Sequence, residues 1–146
     1  AGSGAKRKSL EKYIEQQKIQ DVTFLGFVPE KDKVDLMSKA TVYSSPAPYG
    51  ESFGIVLLES MAVGTPVVAG NNAGYAGVMT GTGMLSLVNP RSVQDMAQRL
   101  EIFLYNDDVR NVWQKWAQQE VQKYRFEKIA DAYEKVYEKA LQENGL

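Results

Sequence analysis

Short apolar runs alternate with amphipathic stretches along the first ninety residues, and the alternation then gives way to helical periodicity alone. Residues 22–28, VTFLGFV, are β-branched and aromatic and predict a strand that Pro29 ends. Residues 41–45, TVYSS, predict a second strand, PVVAG at 66–70 a buried third, and MLSLV at 84–88 a fourth. Between them, AKRKSLEKYIEQQ and EKDKVDLMSKA read as amphipathic helices, with Leu10 and Ile14 four apart and Val34 and Met37 one turn apart. A helix starting near Ser52 or Phe53 is stopped by Gly64 at its C-cap and Pro66 just beyond. NNAGYAG reads as a loop. From Ser92, a plausible N-cap, three helical stretches follow, the last reaching Asn144 with Phe126, Ile129, Ala130, Tyr133, Val136, Tyr137 and Ala140 on one stripe.

This order predicts an α/β fold: a Rossmann-like parallel sheet with helices on both faces and a helical C-terminal extension. We read residues 1–146 as one partial domain, with an α/β core over 1–91 and helices over 92–146. Such sheets bind ligands beyond the carboxyl ends of their strands. That directs attention to PAPYGES after the second strand and NNAGYAG after the third.

Composition narrows the chemistry. The 146 residues are 44% hydrophobic and 24% charged, ordinary for a soluble globular protein, and the net charge of -1 gives no electrostatic case for nucleic acid. There is no cysteine and no histidine, which excludes disulfides, thiolate metal sites, cysteine nucleophiles and histidine bases. No apolar run approaches the ~20 residues of a membrane-spanning helix. We expect a cytoplasmic protein.

In the stretch YGESFGIVLLESMAVGTP, seven mostly apolar residues separate Glu51 from Glu59. A helix opening at Ser52 would aim the amides of Phe53, Gly54 and Ile55 outward, where the helix dipole favours an anion. Gly54 would let a phosphate approach the backbone. Glu59, seven residues on, lies roughly 10 Å along the axis, about the length of a diphosphate plus a ribose, and its carboxylate can accept from both ribose hydroxyls. Without a ligand, Glu51 is simply favourable at a helix start and Glu59 a solvated side chain.

The stretch resembles the donor-binding signature of family 4 glycosyltransferases, retaining enzymes of the GT-B fold, whose form is E-[ST]-F-G-[IL]-x-x-x-E-A-M-A-x-G-x-P-V. Here it stands as ESFGIVLLESMAVGTPVV, with Ser60 for the usual alanine. GSGAKRKSLE, VTFLGFVPEKDKVDLMSKATVYSSPA, GTGMLSLVNPRSVQDMAQRL and YRFEKIADAYEKVYEKAL look like further segments of the family. The resemblance implies that Glu51 is the catalytic glutamate at the transferred sugar. It implies that Ser52, Phe53, Gly54 and Ile55 contact donor phosphate and sugar, that Glu59 holds the ribose, and that Gly26, Phe27 and Val28 line the nucleobase. Phe27 reads equally well as a core residue at a strand end. The substrate implied is a nucleotide-diphosphate sugar, with no metal or other cofactor.

There are departures. The family's G-G-x-x-E loop is NAGYAGVM here, with Gly77 where the glutamate would stand, so Asn71, Asn72, Gly74 and Tyr75 remain only as contacts. The family's basic pair has no counterpart, since Lys6, Arg7 and Lys8 come too late. An N-terminal acceptor domain, a first strand and a first helix are also missing from the pattern. We therefore expect a truncated piece that lacks transferase activity alone and could self-associate through an exposed sheet edge, its parent being peripheral at the membrane. The competing class is a non-catalytic α/β nucleotide-binding or protein-interaction module, in which tyrosines and tryptophans of the C-terminal helices form an interface. Packing is the favoured reading for Trp113 and Trp116, three apart on one helix. A phosphoacceptor receiver domain is rejected, because Ser44, Ser45 and Gly70 stand where its acidic pocket should be.

Overall fold

In a computed structural model, which describes residues 1–143, the chain falls into two compact units, Ala1–Leu36 and Met37–Leu146. Asn144, the expected end of the last helix, lies outside the described residues.

The first unit holds α1 (Arg7–Gln17) and the beginning of α2 (Glu30–Lys39). Lys18 closes α1 in the left-handed conformation, its amide bonded back to the last turn. The strand expected over residues 22–28 does not form. β-Propensity needs a neighbouring strand to act on, and these residues find other partners. Gly2 N–H donates to Gly26 O at 2.5 Å, while Phe24 O accepts from the Arg7 guanidinium, which also sits over the Phe24 ring at 5.5 Å. Arg7 is held in turn by Glu11 at 2.7 Å.

The second unit is built on a parallel sheet of β1 (Tyr43–Ser45), β2 (Val67–Gly70) and β3 (Leu87–Val88), in that order. Tyr43 pairs with Val67, and Ala69 with Leu87. The central strand is buried along its whole length, as a two-sided parallel strand must be. This is the expected α/β arrangement. The fourth predicted strand is shorter than its apolar run: residues 81–86 wind into a 3-10 turn and only Leu87 and Val88 join the ladder.

β1 leads into α3 (Ile55–Ala62), and α3 into β2. The stop read from Gly64 and Pro66 is a Schellman turn: Gly64 N–H bonds Met61 O at 3.1 Å and Thr65 N–H bonds Ser60 O at 2.9 Å. The serine that replaces the family's alanine is fully buried here, and its hydroxyl donates to Thr65 O at 2.8 Å, while Thr65 donates to Met37 O at 2.6 Å. The stretch read as a loop after β2 contains a helix, α4 (Ala73–Val78). Its two glycines hid it from propensity, but Asn72 caps it by accepting from Tyr75 N–H at 3.0 Å.

α5 (Val93–Tyr105) begins at the predicted Ser92 cap, whose hydroxyl accepts from Asp95 N–H at 3.1 Å. Asn106 ends α5 and caps α6 (Asp107–Glu120) through Val109 N–H, while Arg110 donates to the free carbonyls of Phe103 and Leu104 at 2.7 Å. Trp113 of α6 is fully buried and its Nε1 donates to Ser86 Oγ at 2.7 Å, with Phe103 and Trp116 edge-on to its ring. Packing, the favoured reading for this tryptophan, is what the structure shows. α7 (Phe126–Glu143) follows a 3-10 turn over residues 121–124 and buries no residue.

Candidate functional site

The signature segment leaves the carboxyl end of β1 and enters α3. The helix starts at Ile55 rather than at Ser52 or Phe53, because Gly54 is its N-cap with φ +99°. Two features require glycine at position 54: that φ disfavours any side chain, and an added Cβ would lie 2.7 Å from Cδ1 of Tyr75. The open flank expected to admit a phosphate is thus occupied by the Tyr75 ring. Leu57 N–H already bonds Gly54 O at 2.9 Å, so the amides at the helix mouth are those of Gly54, Ile55 and Val56. Glu59 now lies five residues from the cap, about 7.5 Å along the axis.

Glu59 is half-buried and lines an open groove of ≈ 620 Å³. Phe53, Ile55 and Leu58 share that groove with Tyr124, Arg125 and Tyr133. The Phe53 ring meets Tyr124 edge-on at 5.7 Å. The structure therefore brings Phe53, Ile55 and Glu59 to one surface. Tyr124 and Arg125 open the segment YRFEKIADAYEKVYEKAL, which the sequence linked to the family only as a helix, so neither was named as a site residue. Arg125 adds a cation to the groove wall, its guanidinium 3.3 Å from Gln122 Oε1 and 3.6 Å from Glu127 Oε2.

Glu51 does not line this groove. It is half-buried in the loop before α3, against α4. An added Cβ on Gly74 would run into the Glu51 carbonyl, and Asn72 Nδ2 donates to Ala47 O at 3.0 Å. Tyr75, fully buried, shares a 2.7 Å hydrogen bond with Ser45 Oγ. Burial pushes the Tyr75 phenol above the ordinary tyrosine value; Ser45 pulls it back, and the Glu51 carboxylate raises it through charge and hydrogen bonding. Ser52 is exposed on the same loop. Gly26, Phe27 and Val28 belong to the first unit, where Gly26 has φ +70° and Phe27 is 81% exposed, not the core residue of a strand end.

The model of one protein family, described as glycosyl transferases group 1, matches residues 1–120. The chain belongs to this family. It is 35% identical over 120 residues to a phosphatidyl-myo-inositol mannosyltransferase of Mycobacterium leprae, covering 82% of this chain and 32% of that protein. It is 36% identical over 140 residues to a D-inositol 3-phosphate glycosyltransferase of Corynebacterium urealyticum, covering 94% of this chain and 32% of the relative. The chain thus spans about a third of the length of these curated relatives. Among solved structures, the catalytic domain of cholesterol-alpha-glucosyltransferase from Helicobacter pylori superposes with a TM-score of 0.71 at 22% identity, over 85% of this chain and 76% of that one. That likeness is one of fold, and it agrees with the GT-B type of α/β domain. Among the described residues no helix is long and apolar enough to cross a membrane.

Proposed function

We propose that this chain is the donor-binding part of a retaining glycosyltransferase of family 4, taking its sugar from a nucleotide-diphosphate sugar. The observation that carries the reading is Glu59: a carboxylate little more than one turn into α3, lining an open groove whose ≈ 620 Å³ suits a nucleotide-sized ligand and whose wall also includes Arg125. In this reading Glu59 accepts hydrogen bonds from the ribose hydroxyls, and Phe53 and Ile55 wall the donor. The mouth amides of α3 receive phosphate oxygens, and with the helix dipole they would stabilise the charge that grows on the departing nucleotide diphosphate. Glu51, on the loop at the same helix mouth, would stand by the transferred sugar. No metal is required for these steps.

Titration of the 146-residue chain with UDP, GDP and ADP, alone and as sugar conjugates, tests the reading. One of them is expected to bind saturably, and Glu59→Ala to weaken it about ten- to a hundredfold, the loss of charge-assisted hydrogen bonds to a diol. Binding by none of them, or binding indifferent to Glu59, would reject it. A second reading, a non-catalytic interaction module, is favoured by the open apolar stripe of α7, where Phe126 is 84% and Tyr137 64% exposed.

A further inference from the structure

The segment that leaves β2 meets the loop after β1 at every second residue. Gly70 ends the strand, and an added Cβ there would lie 2.5 Å from Ala47 O and 2.8 Å from Pro90 Cβ. Asn72 Nδ2 donates to the same Ala47 carbonyl at 3.0 Å. An added Cβ on Gly74 would run into the Glu51 carbonyl and come within 2.9 Å of Phe53 N. Two carbonyls of the loop, those of Ala47 and Glu51, are thus seated against residues 70–74. Between them stand only Pro48, the exposed Tyr49 and Gly50, which turns at φ +89°. Gly70 and Gly74 hold the loop by shape; Asn72 holds it by a hydrogen bond. Asn72 Oδ1 also accepts from Tyr75 N–H at 3.0 Å and so caps α4. These partners fix the orientation of the amide, because a backbone N–H needs the oxygen and a carbonyl needs the nitrogen. Both ends of the Asn72 amide are therefore engaged inside the protein, and one side chain ties the start of α4 to the Glu51 loop.

We propose that Asn72 is a positioning residue for Glu51: by pinning the Ala47 carbonyl while Gly74 seats the Glu51 carbonyl, it holds the short loop between them in one shape at the mouth of α3. The proposal rests on the donor-site reading for what Glu51 is positioned to do. Asn72, which the sequence offered as a ligand contact, then serves the site through the loop backbone and without touching the donor.

The test is Asn72→Asp, which keeps an oxygen for the Tyr75 N–H and removes the N–H that reaches Ala47, so that capping and gripping come apart. NMR relaxation of the backbone amides reads the loop. In the parent chain residues 49–51 are expected to have order parameters near those of the helices, about 0.85, and in the variant to fall below about 0.6 while α4 keeps its own. A parent loop already that mobile, or a variant loop as rigid as the parent's, overturns the proposal. Should Asn72→Asp fail to fold, Asn72→Ser, whose hydroxyl can still cap, decides on the same terms. Titration of the same samples with UDP, GDP and ADP and their sugar conjugates reads the positioning. The extra affinity that the sugar brings is expected to fall about tenfold in the variant, the worth of one net hydrogen bond, and by more than the affinity for the bare nucleotide. A residue that only caps a helix would weaken both alike, and that result also overturns the proposal. If the parent binds no nucleotide, the donor reading fails, and a rigid loop loosened by Asn72→Asp still upholds the grip.

Discussion

Gly54 and Tyr75 form one contact whose two halves depend on each other. The φ of +99° and the ring beside it make Gly54→Ala strained as well as crowded, and we expect it to cost about 1–3 kcal/mol in urea unfolding. Tyr75 adds a pH dependence. Its folded-state phenol titrates above the unfolded value of about 10, so between the two the native state holds more protons than the unfolded chain. Its contribution is fully present below about pH 10 and is lost as the pH rises through the folded value. The alkaline limb of a stability-against-pH curve should accordingly flatten in Tyr75→Phe relative to the parent. The sequence named Tyr75 only as a contact. What made it central, the vacant flank of Gly54 across twenty residues of chain, is a tertiary fact that no local pattern carries.

Among the elements, those with their own stop and start residues were legible. Gly64 and Pro66 end α3 as a Schellman turn, and Ser92 caps α5 where it should. The elements that misled are those settled by partners. Residues 22–28 have strand composition and no ladder to join, and their carbonyls go to Arg7 and Gly2 instead. α4 has two glycines, no apolar period, and only Asn72 to announce it. The helix at the signature begins at Ile55, two or three residues later than its sequence suggests, because Gly54 takes a left-handed cap. Among the C-terminal helices, α6 buries Trp113 and Ala117 while α7 buries nothing. Helices of such different anchorage should exchange amide protons at different rates. Mass-resolved hydrogen exchange is expected to label α7 well before α6; equal protection would mean that α7 is more firmly held than its burial implies.

For the molecule as a whole, the chain belongs to the glycosyl transferases group 1 family and spans 32% of the length of a curated relative. We expect the chain by itself to catalyse no sugar transfer from any nucleotide sugar, as read by release of nucleotide diphosphate in the presence of a panel of acceptors. Robust turnover would show that donor and acceptor are both handled within these residues. The sequence string around Glu51 and Glu59 is specific enough to be read by eye, yet its two acidic ends meet different neighbours: Glu59 a groove shared with the α6–α7 junction, Glu51 the first turn of α4.

The close fit of Gly74 against the Glu51 backbone has a consequence for engineering. A protein designer who grafts ESFGIVLLE onto another three-layer scaffold transfers half of a lock. Unless residues 71–77 travel with it, or an equivalent turn is built to the same clearance, the transplanted glutamate will be present in the chain and absent from its place.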